Sequence, residues 1–184
     1  METPKFHNRP NPEIWISRAP ALAGIIFMIH PTGLHVLIIK RSEIMDEPNK
    51  YAAISGYLDW DETGYEGITR EIYEETSFYL PEYVNFCVFD NNKEPFFTQT
   101  NPKVDKKQNV TLFYISVYDF INDIDKFPKF VENYHCKEVT EVKLMPITAF
   151  YNNQLTWAFY HDERIKQALE FLNKNYVMKK LFSL

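Results

Sequence analysis

Apolar and polar residues follow each other along this chain with periods that change from segment to segment, and the changes mark its elements. Residues 14–29 are rich in Ile, Ala and Phe, and residues 34–41 read LHVLIIKR. Between them stands His30-Pro31-Thr32-Gly33, a turn-forming set, so the pattern predicts a β-hairpin. A third short strand is expected over residues 51–54, ending at Ser55-Gly56. A polar loop then leads into a helical pattern over residues 63–78. Thr63 followed three positions on by Glu66 is a capping-box pairing that sets the helix start.

Beyond Pro81 the pattern predicts a strand over residues 84–89, a long polar segment over 91–108, and strands over 110–117 and 139–145. So long an irregular segment inside a compact domain is usually functional or mobile. Residues 162–176 carry Ile165, Ala168, Leu169, Leu172 and Tyr176 at the spacing of one helix face. Residues 1–13, with Pro4, Pro10 and Pro12, read as an extended lead. Strands first, a helix inside, more strands and a closing helix argue for the α+β class. One domain over residues 14–184 is the expectation.

Composition narrows the picture. The chain has 184 residues, 45% hydrophobic and 24% charged, with a formal net charge of −5. That is enough apolar material for one core. The acidic balance provides no basic surface for gripping a nucleic-acid backbone, so no long nucleic acid is expected as a partner. Cys87 and Cys136 lie far apart with no C-x-x-C pair, which points to reduced thiols. The N-terminal residues show no apolar leader, and the longest apolar stretch, residues 19–29, is too short to span a bilayer. No membrane association and a cytoplasmic location are the expectations. His7, His30, His35 and His135 have no metal-ligand spacing among them.

The chemistry concentrates in residues 56–78, GYLDWDETGYEGITREIYEETSF. On a helix Glu71, Glu74 and Glu75 share one face, while Ile68 and Ile72 line another. Three clustered carboxylates repel one another unless solvent or a cation compensates. Mg²⁺ accepts oxygen ligands and shares its shell among carboxylates, water and phosphates. An acidic helix face of this kind is otherwise a solvated surface.

The spacing around those glutamates decides between the two readings. The segment resembles the Nudix signature G-x5-E-x7-R-E-U-x-E-E-x-G-U, where U is a bulky apolar residue. Gly56, Glu62, Arg70, Glu71, Ile72, Glu74, Glu75 and Phe78 match it. Ser77 stands where the signature has Gly, which suits a left-handed residue closing the helix. Tyr57 stands where many members carry a second Gly.

The resemblance implies an α/β/α sandwich around a mixed central sheet, with a loop–helix unit and a C-terminal helix. It implies metal binding by Glu71, Glu74 and Glu75, with a backbone carbonyl at Ser55 or Gly56, and an orienting pair between Arg70 and Glu62. An ordinary pair of Arg70 with Glu74 at i, i+4 is the alternative. The cofactor implied is Mg²⁺ or Mn²⁺. Glu75, Glu74, Arg70 and Glu138 are the candidate catalytic residues, with Glu138 as the base and Glu141 in reserve.

Candidate substrate contacts are Arg41, which ends its strand on the side of Leu37 and Ile39, together with Tyr57, Phe97 and Trp157. Phe96 is a further aromatic candidate, and core packing is the alternative use of such rings. His161-Asp162 at the last helix resembles a pair found in ADP-ribose-type members. The implied reaction splits a nucleoside diphosphate linked to a group X (ADP-ribose, a nucleotide sugar or a dinucleotide) into nucleoside monophosphate and X-phosphate. Alternatives are cleavage of (d)NTPs, removal of RNA 5′ caps, or a non-catalytic nucleotide-sensing domain. A homodimer is compatible with the resemblance.

Overall fold

The computed structural model describes residues 15–16, 20–102, 107–130, 136–152 and 154–175. The lead expected over residues 1–13, the strand start at Ile14, His135 and the last stripe position, Tyr176, lie outside them. In chain order the elements begin with β1 (Trp15–Ile16), β2 (Ala21–His30), β3 (Gly33–Arg41), β4 (Tyr51–Ala52), β5 (Ile54–Tyr57) and helix α1 (Gly64–Thr76). They continue with β6 (Cys87–Phe89), β7 (Phe97–Gln99), β8 (Lys107–Gln108), β9 (Thr111–Asp119), β10 (Val139–Pro146), α2 (Ile147–Tyr151) and α3 (His161–Lys174).

The main sheet runs β10-β3-β2-β9-β6, with β4 added to β3, β5 to β2 and β7 to β9. It is mixed: β2 and β9 are parallel from Ala21 opposite Thr111 to Ile29 opposite Asp119, while β2 and β3 form the antiparallel hairpin expected from the sequence. Gly33 closes that hairpin at φ 116°, a conformation that a side chain would strain. β1 and β8 make a separate parallel pair.

β2 is paired on both edges and covered on both faces, which is why its sequence is apolar almost without interruption. Leu22, Ile26 and Met28, with Leu37 and Ile39 of β3, pack under α1 through Ile68 and Ile72. Ala23, Ile25, Phe27 and Ile29, with Val36 and Ile38, pack on the opposite face against Ile165, Ala168 and Leu172 of α3. The result is the α/β/α sandwich. Each fully buried Ile in these layers contributes about 1.5–3 kcal/mol relative to exposure.

Helix α1 starts where the capping box placed it. The Thr63 hydroxyl accepts from the Glu66 amide at 3.3 Å, and the Glu66 carboxylate accepts from the Thr63 amide at 2.8 Å. It ends at Ser77, which takes the left-handed conformation at φ 59°, ψ 16° and donates its amide to the Tyr73 carbonyl. Ser therefore occupies the backbone geometry that glycine favours, rather than rearranging the helix end.

Four local features differ from the sequence expectation. The first strand of the hairpin, β2, begins at Ala21, after Pro20, which has no amide to give to a ladder. The third strand is split into β4 and β5 at Ala53, whose amide leaves the ladder for the His161 ring. Residues 80–86 form two short 3-10 turns that meet at a kink at Tyr83, with Pro81 in the first, so only Cys87–Phe89 of the expected strand is extended. The polar segment after Asn91 contributes β7, paired with β9. Among the described residues no helix is long and apolar enough to cross a membrane.

Candidate active site

The loop after β5, the acidic face of α1, the end of β3, the start of β9, the segment just before β10 and the first turn of α3 surround one cleft of about 1020 Å³. Gly56 lies at its base. A Cβ there would collide with the Glu71 carboxylate, so the bare backbone is what lets that carboxylate lie across β5.

Glu71 and Glu74 line the cleft, and Glu75 lies beneath them at 1% exposure. The Glu75 carboxylate accepts from the Ser55 amide at 3.2 Å. Burial, then the nearby Glu71 charge, pushes the Glu75 carboxyl well above its ordinary value. Burial also raises Glu71, against the pull of Arg70.

Arg70 organises the outer side of this wall. Its Nε and Nη2 donate to the two Glu62 oxygens at 3.1 and 2.8 Å, a forked pair, and Nη2 also donates to the Tyr57 carbonyl at 3.0 Å. Its Nη1 donates to Glu71 at 2.7 Å and to Glu74 at 3.3 Å. The bonds from Arg70 hold the Glu62 carboxyl below its ordinary value. The i, i+4 contact with Glu74 is thus real but secondary to the fork on Glu62.

Opposite the glutamates stands Arg41, 5% exposed, on the face that strand alternation assigned to it. Its Nε donates to the Asp46 carbonyl at 2.8 Å, and its guanidinium lies 5.0 Å from the Phe159 ring centre. Burial lowers its pKa, opposed chiefly by Glu75. Glu138 lines the cleft immediately before β10, where its carbonyl accepts from the Ser42 amide at 2.8 Å. Glu141 points the other way. A bulge between Val139 and Glu141 sets Glu141 opposite Lys40 instead of on the Arg41 face, and its carboxylate accepts from the Tyr51 hydroxyl at 2.8 Å.

Tyr57 and Ser55 line the cleft, while Phe97 and Trp157 are not among its walls. Phe97 packs on Phe113 and under the Arg164 guanidinium, 4.6 Å from its ring centre. Trp157 packs against Phe150 and Tyr51 on the α3 face, and Phe96 meets Phe171 there. Alternation and loop length give no sign of which of these rings reach the cleft. The ring that lines it beside Arg41 is Phe159, which sequence reasoning missed along with Cys136. Phe159 and Tyr160 both adopt left-handed backbone, at φ 51° and 57°, and nothing in two aromatic residues signals that.

His161 is the first residue of α3 and is 3% exposed. Its Nδ1 accepts from the Ala53 amide at 3.1 Å. Burial, with Arg41 and Arg164 nearby, pushes its pKa down to about 3, so the ring is neutral.

Whether these residues fit a metal ion can be judged from their charges. Glu62, Glu71, Glu74, Glu75 and Glu138 outnumber the two guanidiniums, Arg41 and Arg70, that stand with them. Negative charge in that excess, with Glu71 and Glu75 buried, fits a hard divalent cation with oxygen ligands. Among the described residues no three Asp, Glu, His or Cys side chains enclose an ion position, and Glu71 is turned onto Arg70. Mg²⁺ commonly completes its shell with water and substrate phosphate, so a partial protein cage suits it.

An α/β/α sandwich in which a loop–helix unit carries these carboxylates to one cleft is the architecture of the Nudix class. The profile of the family described as NUDIX domain matches residues 19–168, and the chain belongs to that family. Among solved structures it resembles the NUDIX domain of Shewanella oneidensis NrtR complexed with ADP ribose, with 21% identity and TM-score 0.67 over 89% of this chain and 94% of that one. A mutT/nudix family protein from Listeria innocua matches at 21% identity and TM-score 0.60, over 88% of this chain and 98% of that one. A bifunctional NMN adenylyltransferase/ADP ribose pyrophosphatase from Francisella tularensis, complexed with AMP and Mn ion, matches at 18% identity and TM-score 0.59, over 85% of this chain and 41% of that one. No curated protein matches the chain.

Proposed function

We propose that this chain is a Mg²⁺-dependent pyrophosphohydrolase that cleaves a nucleoside diphosphate linked to a second group X, giving nucleoside monophosphate and X-phosphate. The observation that carries this reading is the buried Glu75 beside Glu71, with Glu138 across the cleft and one buried guanidinium, Arg41, among them. Glu71, Glu74 and Glu75, with the Ser55 backbone, would hold Mg²⁺ or Mn²⁺. Bound there, the ion supplies charge neutralisation for the diphosphate and a lowered pKa for a water.

The chain's own residues do the rest. Arg41 binds a diphosphate oxygen, because a buried guanidinium facing a cleft is a strong anion partner. Arg70 keeps the glutamate wall in place by tying it to Glu62 and to the Tyr57 carbonyl. Glu138 accepts the proton of the attacking water. The water oxygen forms the new P–O bond as the bridging P–O bond breaks, and the bridging oxygen leaves with the other phosphate.

ADP-ribose, a nucleotide sugar or a dinucleotide fits the size of the cleft, and the fold neighbours complexed with ADP ribose or with AMP favour the first. The test is product analysis across these compounds and NTPs. A nucleoside monophosphate should be released only with Mg²⁺ or Mn²⁺, and Glu75→Gln should lower the rate by at least ~10²-fold. Full activity of Glu75→Gln would refute the metal assignment.

A second reading is a metabolite-sensing domain. A neighbour of this fold, NrtR from Shewanella oneidensis, has been solved with a 27mer DNA, and the present chain covers 62% of that longer chain. Tight nucleotide binding with no turnover on any substrate would select this alternative.

A further inference from the structure

The reaction chemistry leaves one buried polar group of the cleft without a task. Nδ1 of His161 is taken by the Ala53 amide, which can only donate, so Nδ1 carries no proton. The ring is neutral, so its single proton sits on Nε2. Among the described residues Nε2 takes no hydrogen bond, and the fully buried side-chain atoms left without a partner are the Ser42 and Ser116 hydroxyls, so Nε2 keeps an opening at the cleft wall that His161 helps form.

The surroundings define what such a donor meets. The ring stands edge-on to Phe113 at 5.9 Å and tilted against Phe159 at 5.8 Å, and both aromatics also line the cleft. The charged groups near it are the guanidiniums of Arg41 on β3 and Arg164 on α3. An anionic phosphate is held better by Arg41 than by an uncharged imidazole. A neutral donor set between aromatic walls suits an uncharged oxygen.

We propose that His161 determines specificity by donating its Nε2 hydrogen to a hydroxyl or carbonyl oxygen of the nucleoside or of the group X. This rests on the diphosphate reading above and adds to it the side of the cleft that recognises the organic part of the substrate. The aromatic edges of Phe113 and Phe159 exclude water from that bond, and the Ala53 amide keeps the ring in the tautomer that can donate.

Two substitutions separate this role from packing, because each keeps one ring nitrogen's function. Asn at position 161 reaches about as far as Nδ1 and can still accept from Ala53, whereas Gln reaches about as far as Nε2 and can still donate into the cleft. The panel is ADP-ribose, its analogues lacking one ribose hydroxyl at a time, and the corresponding uridine and inosine compounds, whose bases carry carbonyls. Kd is read by calorimetry with Ca²⁺, and kcat/KM with Mg²⁺.

Wild type should bind the preferred compound about tenfold or more tightly than the analogue lacking the accepted oxygen. His161→Asn should erase that ratio with a near-native melting temperature, and His161→Gln should keep most of it. The hydroxyl and base arms of the panel identify which oxygen is read. Undiminished discrimination in His161→Asn, or equal losses on every compound in both variants, would overturn the proposal and leave His161 a packing residue. Wild type that binds with discrimination but does not cleave would refute the hydrolase reading alone, and wild type that neither binds nor cleaves any compound would remove both.

Discussion

Gly56 and Glu71 show how one side chain's absence makes another's position possible. The Glu71 carboxylate lies where a Cβ at residue 56 would be, held by Arg70 at 2.7 Å. Gly56→Ala should therefore displace Glu71 while leaving both faces of the sheet packed. We expect kcat/KM to fall by at least ~10²-fold with a melting temperature near wild type, measured by turnover and calorimetry on the same preparation. A fully active Gly56→Ala enzyme would show that Glu71 does not need this position.

Helix α1 carries the site's charge on one face and its anchorage on the other. Ile68 and Ile72 are each 1% exposed against β2, so the glutamates are set by the same packing that holds the sandwich together. Its C-terminal end stores a small strain, because Ser77 sits at φ 59°. Ser77→Gly should stabilise the protein by about 1 kcal/mol in urea unfolding, with activity unchanged. A loss of stability would mean that the Ser77 side chain contributes more than its backbone costs. At β10 the element-scale event is the bulge, which turns Glu141 off the Arg41 face while Glu138, before it, stays on the cleft wall.

For the whole molecule, the carboxylates around the cleft, with Glu71 and Glu75 raised by burial, are an unfavourable term for folding that the proposed cation would offset. The Glu75 carboxyl is raised above its ordinary 4.5 by burial and by Glu71. A raised carboxyl contributes stability that is fully present below that ordinary value and is lost as pH rises through the folded-state value. Glu75→Gln should therefore melt above wild type in chelator, with a gap that widens as pH rises above about 4.5. Mg²⁺ should raise the wild-type melting temperature and close the gap. Equal melting curves across pH, with or without Mg²⁺, would contradict the uncompensated charge.

The parts legible in the sequence are those governed by short-range spacing. The hairpin turn, the capping box at Thr63 and the stripes of α1 and α3 follow from periodicity and local hydrogen bonding, and the glutamate face follows from helical repeat. The Arg70–Glu62 fork was legible only through the resemblance, because eight residues of loop and helix separate its ends. Sequence alone also placed Arg41 on its side of β3, since strand alternation runs unbroken from Leu37. Only the tertiary structure decided that Glu138 rather than Glu141 faces the cleft, that Phe159 rather than Phe97 or Trp157 lines it, and that His161 meets Ala53. Each of these depends on a bulge, a left-handed pair of aromatic residues or a contact across 108 positions. Local propensity is blind to such features, because their energies arise between segments that only packing brings together.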